Sequence, residues 1–244
     1  MIELSIIIPC YNESKSIKNL LYKCESSVAN FKNIEFIFVD NGSTDNTYSV
    51  FKNLSSVFSF NYKVLSVKKN LGYGGGIIHG LNNSSGKFLA WTHADLQTDP
   101  VDVVNAFLIN KTRLLKENVI IKGKRKNRSY FDDFFTKGMS LISSIILNSK
   151  LHDVNAQPKV FSKIFYKKLK NPPHDFSLDL FFLFEANRMN YKIINYDVLF
   201  NNREFGIAKG GGSFHGKIKL IYRTLSYIFK LRKRFKNGNY NSQS

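Results

Sequence analysis

The chemistry-bearing stretch of this chain is Asn70–Pro100, NLGYGGGIIHGLNNSSGKFLAWTHADLQTDP. Gly72, Gly74, Gly75 and Gly76 free the backbone from Cβ sterics, so the chain can turn sharply or approach another group closely before a helix expected from near Ile77 to Asn83. Ser84-Ser85-Gly86 then break that helix, and Lys87 to Trp91 form a short apolar run of the kind found in interior strands. Asp95 follows just past the end of this run. In open α/β sheets ligands gather outside the carboxyl ends of strands, so a carboxylate there can hold a divalent cation that bridges a diphosphate. Asp99 before Pro100 has the form of a helix N-cap with proline at the first helical position, a structural task.

The elements that must position these residues repeat one unit. LSIIIP (Leu4 to Pro9) and IEFIFV (Ile34 to Val39) are continuous apolar runs, each followed by a polar loop and apolar residues at helical spacing. Tyr62 to Val67 and Phe88 to Trp91 supply two more strands, and Val119 to Ile121 and Tyr191 to Asp197 continue the series. Strands alternating with helices predict βαβ units, a parallel sheet and a Rossmann-like layer sandwich. A dinucleotide-binding domain would carry GxGxxG directly after its first strand; this chain has PCYNES there.

Composition bounds the partners. The 244 residues, 43% of them hydrophobic, are enough to bury a substantial core. A formal net charge of +18 calls for an anionic neighbour: nucleic acid, lipid head groups or phosphorylated substrates. No nucleic-acid-binding motif accompanies the charge, so a nucleic acid is not the expected partner. Cys10 and Cys24 are too few for a disulfide framework. The opening residues lack the pattern of a signal peptide and no run approaches the roughly twenty apolar residues of a membrane span. A protein that is soluble or attached to a membrane surface is the expectation.

IIIPCYNE, FVDNGSTDNT, NLGYGGGIIHGL and ADLQTDP, in this order and at these separations, resemble the GT-A catalytic domain of family 2 inverting glycosyltransferases, and within it the polyprenyl-phosphate sugar transferases. The resemblance runs from about Leu4 to Lys209. It implies a mixed, mostly parallel sheet with helices on both faces, a nucleotide diphosphate sugar as donor and a lipid phosphate as acceptor, or alternatively a sugar hydroxyl on a growing surface polysaccharide, and a cytoplasmic protein peripheral on the inner face of the membrane. It also implies that Pro9, Tyr11 and Glu13 line the nucleotide pocket, that Asp40 contacts base or ribose, and that Asp45 and Gly72 shape the same site. Asp45 has a second role open to it as a cap for the following helix.

One departure bears on the metal. The family carries DxD at the fourth strand's exit; here the sequence is His93-Ala94-Asp95-Leu96-Gln97. Asp95, with Gln97, is the expected holder of Mn2+ or Mg2+, while His93 is a ligand, a hydrogen-bond donor to phosphate or sugar, or a supporting residue. A metal-independent or catalytically silent variant of the fold is also open.

By the same resemblance, Arg125 in the basic run Lys122 to Arg128 faces phosphate, and Asp153 in DVNAQPK stands on the acceptor side, to orient the attacking group or to serve structurally. Arg203 and Lys209, in REFGIAK, match a loop that grips phosphates, with Gly210 to Gly212 after it. The expected boundaries are a catalytic domain over 1–212, a basic amphipathic helix over 213–236 with an anionic membrane surface as its partner, and a disordered tail over 237–244.

Overall fold

The computed structural model describes residues 1–127, 130–201 and 214–236, with the side chains of 130–135, 214–220 and 236 left aside. Its elements run β1 (Leu4–Cys10), α1 (Ile17–Ser27), β2 (Ile34–Asp40), α2 (Thr47–Asn53), β3 (Tyr62–Ser66), α3 (Tyr73–Asn82), β4 (Phe88–Trp91), α4 (Pro100–Lys116) and β5 (Val119–Lys126). There follow α5 (Tyr130–Leu147), β6 (Lys159–Ser162), α6 (Lys163–Lys168), α7 (Leu178–Arg188), β7 (Lys192–Leu199) and α8 (Phe214–Lys236).

The seven strands form one sheet in the order β3-β2-β1-β4-β6-β5-β7. The pairs β1/β2, β2/β3, β1/β4 and β5/β7 are parallel, and β6 runs antiparallel to both β4 and β5. The mixed, mostly parallel sheet of the sequence reading is therefore present. The segment that forms the antiparallel strand was not foreseen: KVFS is four residues long, opens on a lysine, and follows a proline, so it lacks the apolar run that marks a buried strand.

Strand periodicity splits the core in two. Ile6, Ile8, Phe36 and Phe38 point to one face, where Leu20, Leu21, Val103 and Phe107 of α1 and α4 cover them. Ile7, Ile37 and Val39 point to the other, which holds Ile77, Trp91, Phe161, Phe165 and Phe182. On that second face Trp91 and Phe161 meet Phe182 edge to face at 4.7 and 4.6 Å, contacts that contribute about 0.5–1.5 kcal/mol each beyond area burial. Ile228 and Leu231 of α8 are buried in the same cluster, and Phe235 meets Phe184 of α7 at 4.9 Å. The other side of α8 exposes Tyr222 and Phe229.

The expected helix start at Ile77 is corrected to Tyr73. Gly72 is the N-cap, at φ +83°, and the three glycines that follow are helical. They are required by a neighbour rather than by a turn. A Cβ on Gly74 would stand 2.4 Å from the Pro173 carbonyl oxygen, because residues 173–175 lie against the first turn of α3.

Candidate active site

The loops that leave β1 and β2 are stitched together. Asn12, at φ 56°, accepts from the Thr44 amide (2.8 Å) and donates to the Thr44 hydroxyl (3.0 Å); Glu13 N donates to Thr47 Oγ1 (2.8 Å). Asp45 accepts from Thr47 N (3.0 Å) and Ser14 N (3.2 Å), so it ties the first turn of α2 to the loop after β1. Burial would raise its carboxyl pKa, but these donors outweigh burial and hold it below the usual range. The N-cap of α2 itself is Asn46, so Asp45 acts one residue before the cap. Asp40, buried at the end of β2, accepts from Ser43 N (3.2 Å) and Ser66 Oγ (3.1 Å). Pro9, Tyr11 and Glu13 are half-buried at the exit of β1.

Asn41, unremarked in the sequence, joins β2 to the glycine segment. Its Nδ2 donates to Gly72 O (2.9 Å) and its Oδ1 accepts from Leu71 N (3.1 Å). Gly72 and its neighbours receive protein rather than presenting an open N-terminus: Gly75 N donates to the His174 carbonyl at 2.9 Å.

At the exit of β4, Asp95 and Gln97 are half-buried, and Asp95 Oδ1 accepts from Gln97 N at 3.2 Å. Gln97 in turn meets Asn201, accepting from its amide (2.8 Å) and donating Nε2 to its carbonyl (3.3 Å). The β4 exit is thereby joined to the chain after β7. Arg203 and Lys209, the expected phosphate grips, lie outside the described residues. His93 is half-buried beside Tyr73, ring centroids 5.7 Å apart. Burial pushes its imidazole toward the neutral form, against the pull of Asp95 and Asp179. Asp99 caps α4 through Val101 N (3.0 Å) and pairs with Lys23 (2.6 Å), as its position before proline implied.

Arg125 and Asp153 are brought together. The Arg125 amide donates to Asp153 Oδ2 (3.2 Å), Nε donates to Oδ1 (3.0 Å), and Nη2 also reaches Oδ1. The ring of Phe200 lies 5.3 Å from the guanidinium. Burial raises the Asp153 carboxyl pKa and the guanidinium lowers it; the guanidinium prevails and the group stays ionised well into acid.

Two buried lysines escaped the sequence analysis. Lys122, 2% exposed, donates to the carbonyls of Gly123 (2.8 Å) and Asp153 (3.3 Å), and burial pulls its pKa down to about 8. It had been grouped with a basic run; strand alternation instead turns it inward. Lys159, 0% exposed, donates to Asp179 and to Ala156 O (3.2 Å). Only tertiary pairing reveals either, because isolated lysines in sequence are surface residues by default.

Among the described residues no group of three or more His, Cys, Asp and Glu side chains converges as a metal cluster. A hard cation takes six or more oxygen ligands. Asp95 and His93, two residues apart on one strand exit, can contribute at most a small share. That donor set suits a cation whose remaining ligands come from a diphosphate and water.

A mostly parallel sheet with a carboxylate at the β4 exit and a guanidinium fixed on β5 is the framework of a GT-A glycosyltransferase. The sequence model described as Glycosyl transferase family 2 matches residues 5–143, and the chain belongs to that family. It is 25% identical to a dodecaprenyl-phosphate galacturonate synthase of Rhizobium johnstonii over 98% of this chain and 70% of the relative. It is 28% identical to a UDP-N-acetylglucosamine–dolichyl-phosphate N-acetylglucosaminyltransferase of Methanococcus voltae, over 90% and 94%. Among solved structures, a mannosyltransferase of Pyrobaculum calidifontis in complex with GDP-Man and Mn2+ superposes with a TM-score of 0.70 at 18% identity, covering 95% of this chain and 64% of that one.

Proposed function

We propose that this glycosyltransferase moves a sugar, with inversion, from a nucleotide diphosphate sugar to a polyprenyl phosphate. The observation that carries the acceptor class is the likeness, along nearly the whole chain, to enzymes named for dodecaprenyl and dolichyl phosphates. The donor lies across the exits of β1, β2 and β4, with Pro9, Tyr11, Glu13 and Asp40 at the nucleotide end. Asp95 is the residue that would hold a divalent cation, Mn2+ or Mg2+, with His93 and Gln97 as its neighbours. Bound there, the cation would neutralise charge building on the departing diphosphate.

An acceptor phosphate is already anionic at neutral pH and needs no strong base. Asp153 then serves by fixing Arg125. A guanidinium carries five N–H donors in a planar fork, so a carboxylate on one edge leaves an edge suited to phosphate. Arg203 and Lys209 are proposed to add phosphate contacts from outside the described residues. Attack comes in line from the face of the sugar opposite the diphosphate, which inverts the anomeric centre.

The acceptor chemistry calls for a membrane surface, and α8 fits one. It carries Arg223, Lys230, Arg232 and Lys233 exposed beside Tyr222 and Phe229, and has no acidic residue. No helix among the described residues is long and apolar enough to cross a bilayer.

The test offers radiolabelled UDP- and GDP-sugars with undecaprenyl or dolichyl phosphate and follows label into the lipid phase. Asp95→Ala is expected to lower turnover by about 10²–10³-fold, the usual loss when one group that stabilises transition-state charge is removed. Transfer only to glycan hydroxyls, with no lipid-linked product from any donor, would refute the acceptor assignment.

A further inference from the structure

Beneath the strand exits lies a buried polar cluster that the mechanism above does not use. Lys159 opens β6 directly opposite Trp91 of β4 on one side and Lys122 of β5 on the other. Its ammonium donates to Asp179 Oδ1 on α7 and lies 5.5 Å from the Trp91 ring. Gln157 Nε2 donates to Asp179 Oδ1 (3.0 Å) and to the Tyr73 hydroxyl (3.2 Å), and the Tyr73 hydroxyl donates to Asp179 Oδ2 (3.0 Å). The Tyr73 ring then stacks on Phe176 at 4.9 Å and leans on His93 at 5.7 Å.

Stability does not explain this arrangement. A buried ion pair is commonly matched or bettered by apolar residues of similar volume. Like charges directly opposite on neighbouring strands are unfavourable, yet Lys122 and Lys159 face each other. The Oε1 of Gln157 is buried without a hydrogen-bond partner, a further cost. What the cluster does achieve is geometric. It draws β6, α7 and the first residue of α3 to one point, and that point ends on His93, the residue that departs from the family's DxD.

We propose that Lys159 is a positioning residue for the transfer reaction: through Asp179 it anchors the Tyr73 hydroxyl, and the Tyr73 ring sets the imidazole of His93 against the donor's diphosphate. This rests on the function proposed above. Lys159 touches no reacting atom. Its effect passes through a hydroxyl and a ring, so removing the hydroxyl alone interrupts it. An ammonium grips Asp179 from the β6 side while the tyrosine grips the other carboxylate oxygen, so the hydroxyl end of the phenol is anchored and Phe176 stacks on its ring. The imidazole, packed on that ring, is held in one orientation before substrate arrives.

Two variants test this without emptying the core: Tyr73→Phe, which keeps the ring, and the paired Lys159→Met/Asp179→Leu, which removes both charges together. Both are expected to melt within about 3 °C of wild type, the shift that accompanies a small stability change in a chain of this size. Long-range proton–nitrogen spectra of 15N-labelled protein report the ring nitrogens of each histidine, with the His93 signal identified by its loss in His93→Gln. In both variants the His93 signals are expected to move or broaden while those of His79 and His152 stay in place. With the donor that wild type transfers, kcat is expected to fall about tenfold with KM changed less than about twofold, the sign of an interaction made in the transition state. Unmoved His93 signals in both folded variants, or wild-type kcat in both, would overturn the proposal. If wild type transfers from no nucleotide sugar, the functional reading fails separately, and the histidine spectra still decide whether the cluster positions His93.

Discussion

Lys122 on β5 and Lys159 on β6 face each other across an antiparallel ladder, and both are buried. Lys159 has a carboxylate partner, whereas Lys122 has the carbonyls of Gly123 and Asp153. Burial works against the charged form of both amines. Burial lowers the Lys122 pKa to about 8, against about 10.4 for an unfolded lysine. Between these values the unfolded chain binds more protons, so Lys122 adds stability as pH rises and withdraws it as pH falls toward 8. Urea denaturation at pH 8 and 9.5 is expected to show wild type gaining about 1–2 kcal/mol relative to Lys122→Met over that interval. A parallel pH dependence in the two proteins would contradict the burial of a protonatable amine.

The Arg125–Asp153 fork predicts an acid-side counterpart. The Asp153 pKa is depressed by the guanidinium, so its contribution is complete above the unfolded value of about 4 and fades as pH drops through the folded one. Asp153→Ala leaves Arg125 buried without its counter-charge and is expected to cost about 3–5 kcal/mol at pH 7. The gap between wild type and variant should narrow below pH 4, measured by denaturant midpoints at pH 7 and 3.

Gly74 and Gly138 are both helical, yet their substitutions should differ in sign. A methyl on Gly74 would meet the Pro173 oxygen at 2.4 Å and the Asp175 oxygen at 2.8 Å, so residues 173–175 must shift. Gly74→Ala is expected to cost about 1–3 kcal/mol, seen as a melting-temperature drop of several degrees. Gly138 in α5 has nothing within 4 Å of the added carbon. Gly138→Ala should raise stability by about 0.5–1 kcal/mol through helix propensity.

For α8, the proposed membrane surface predicts binding to phosphatidylserine vesicles that weakens with salt. Each exposed cation near an anionic leaflet contributes about 1 kcal/mol. The triple variant Arg223→Glu/Lys230→Glu/Lys233→Glu should lose vesicle binding by a hundredfold or more on that basis, with its melting temperature held because Ile228 and Leu231 are untouched. Co-sedimentation at two salt concentrations measures it; binding unchanged by the substitutions would remove α8 from the interface.

Much of the fold was legible because central parallel strands are buried on both faces. LSIIIP and IEFIFV are nearly uninterrupted apolar runs, and sheet and helices appear where those runs implied them. Asp99 was legible for a local reason: an N-cap and its proline lie in adjacent positions. The start of α3 was not. Four glycines near one another signal a turn in isolation, and only the approach of residues 173–175 to Gly72 and Gly74, and of Asn41 to Gly76, shows why a helix there must lack side chains.

By itself the sequence determined the order of strands and helices, the carboxylate at the β4 exit and the family, because hydrophobic runs, caps and ordered motifs are properties of neighbours along the chain. Tertiary structure alone decided that Asp153 is spent on Arg125, that Lys122 and Lys159 are buried, and that Tyr73, Gln157 and Asp179 converge beneath His93. Those outcomes depend on which strands pair and in what register. A lysine at the end of a strand is solvated or buried according to the partner across the ladder, and no spacing within a single segment records that partner.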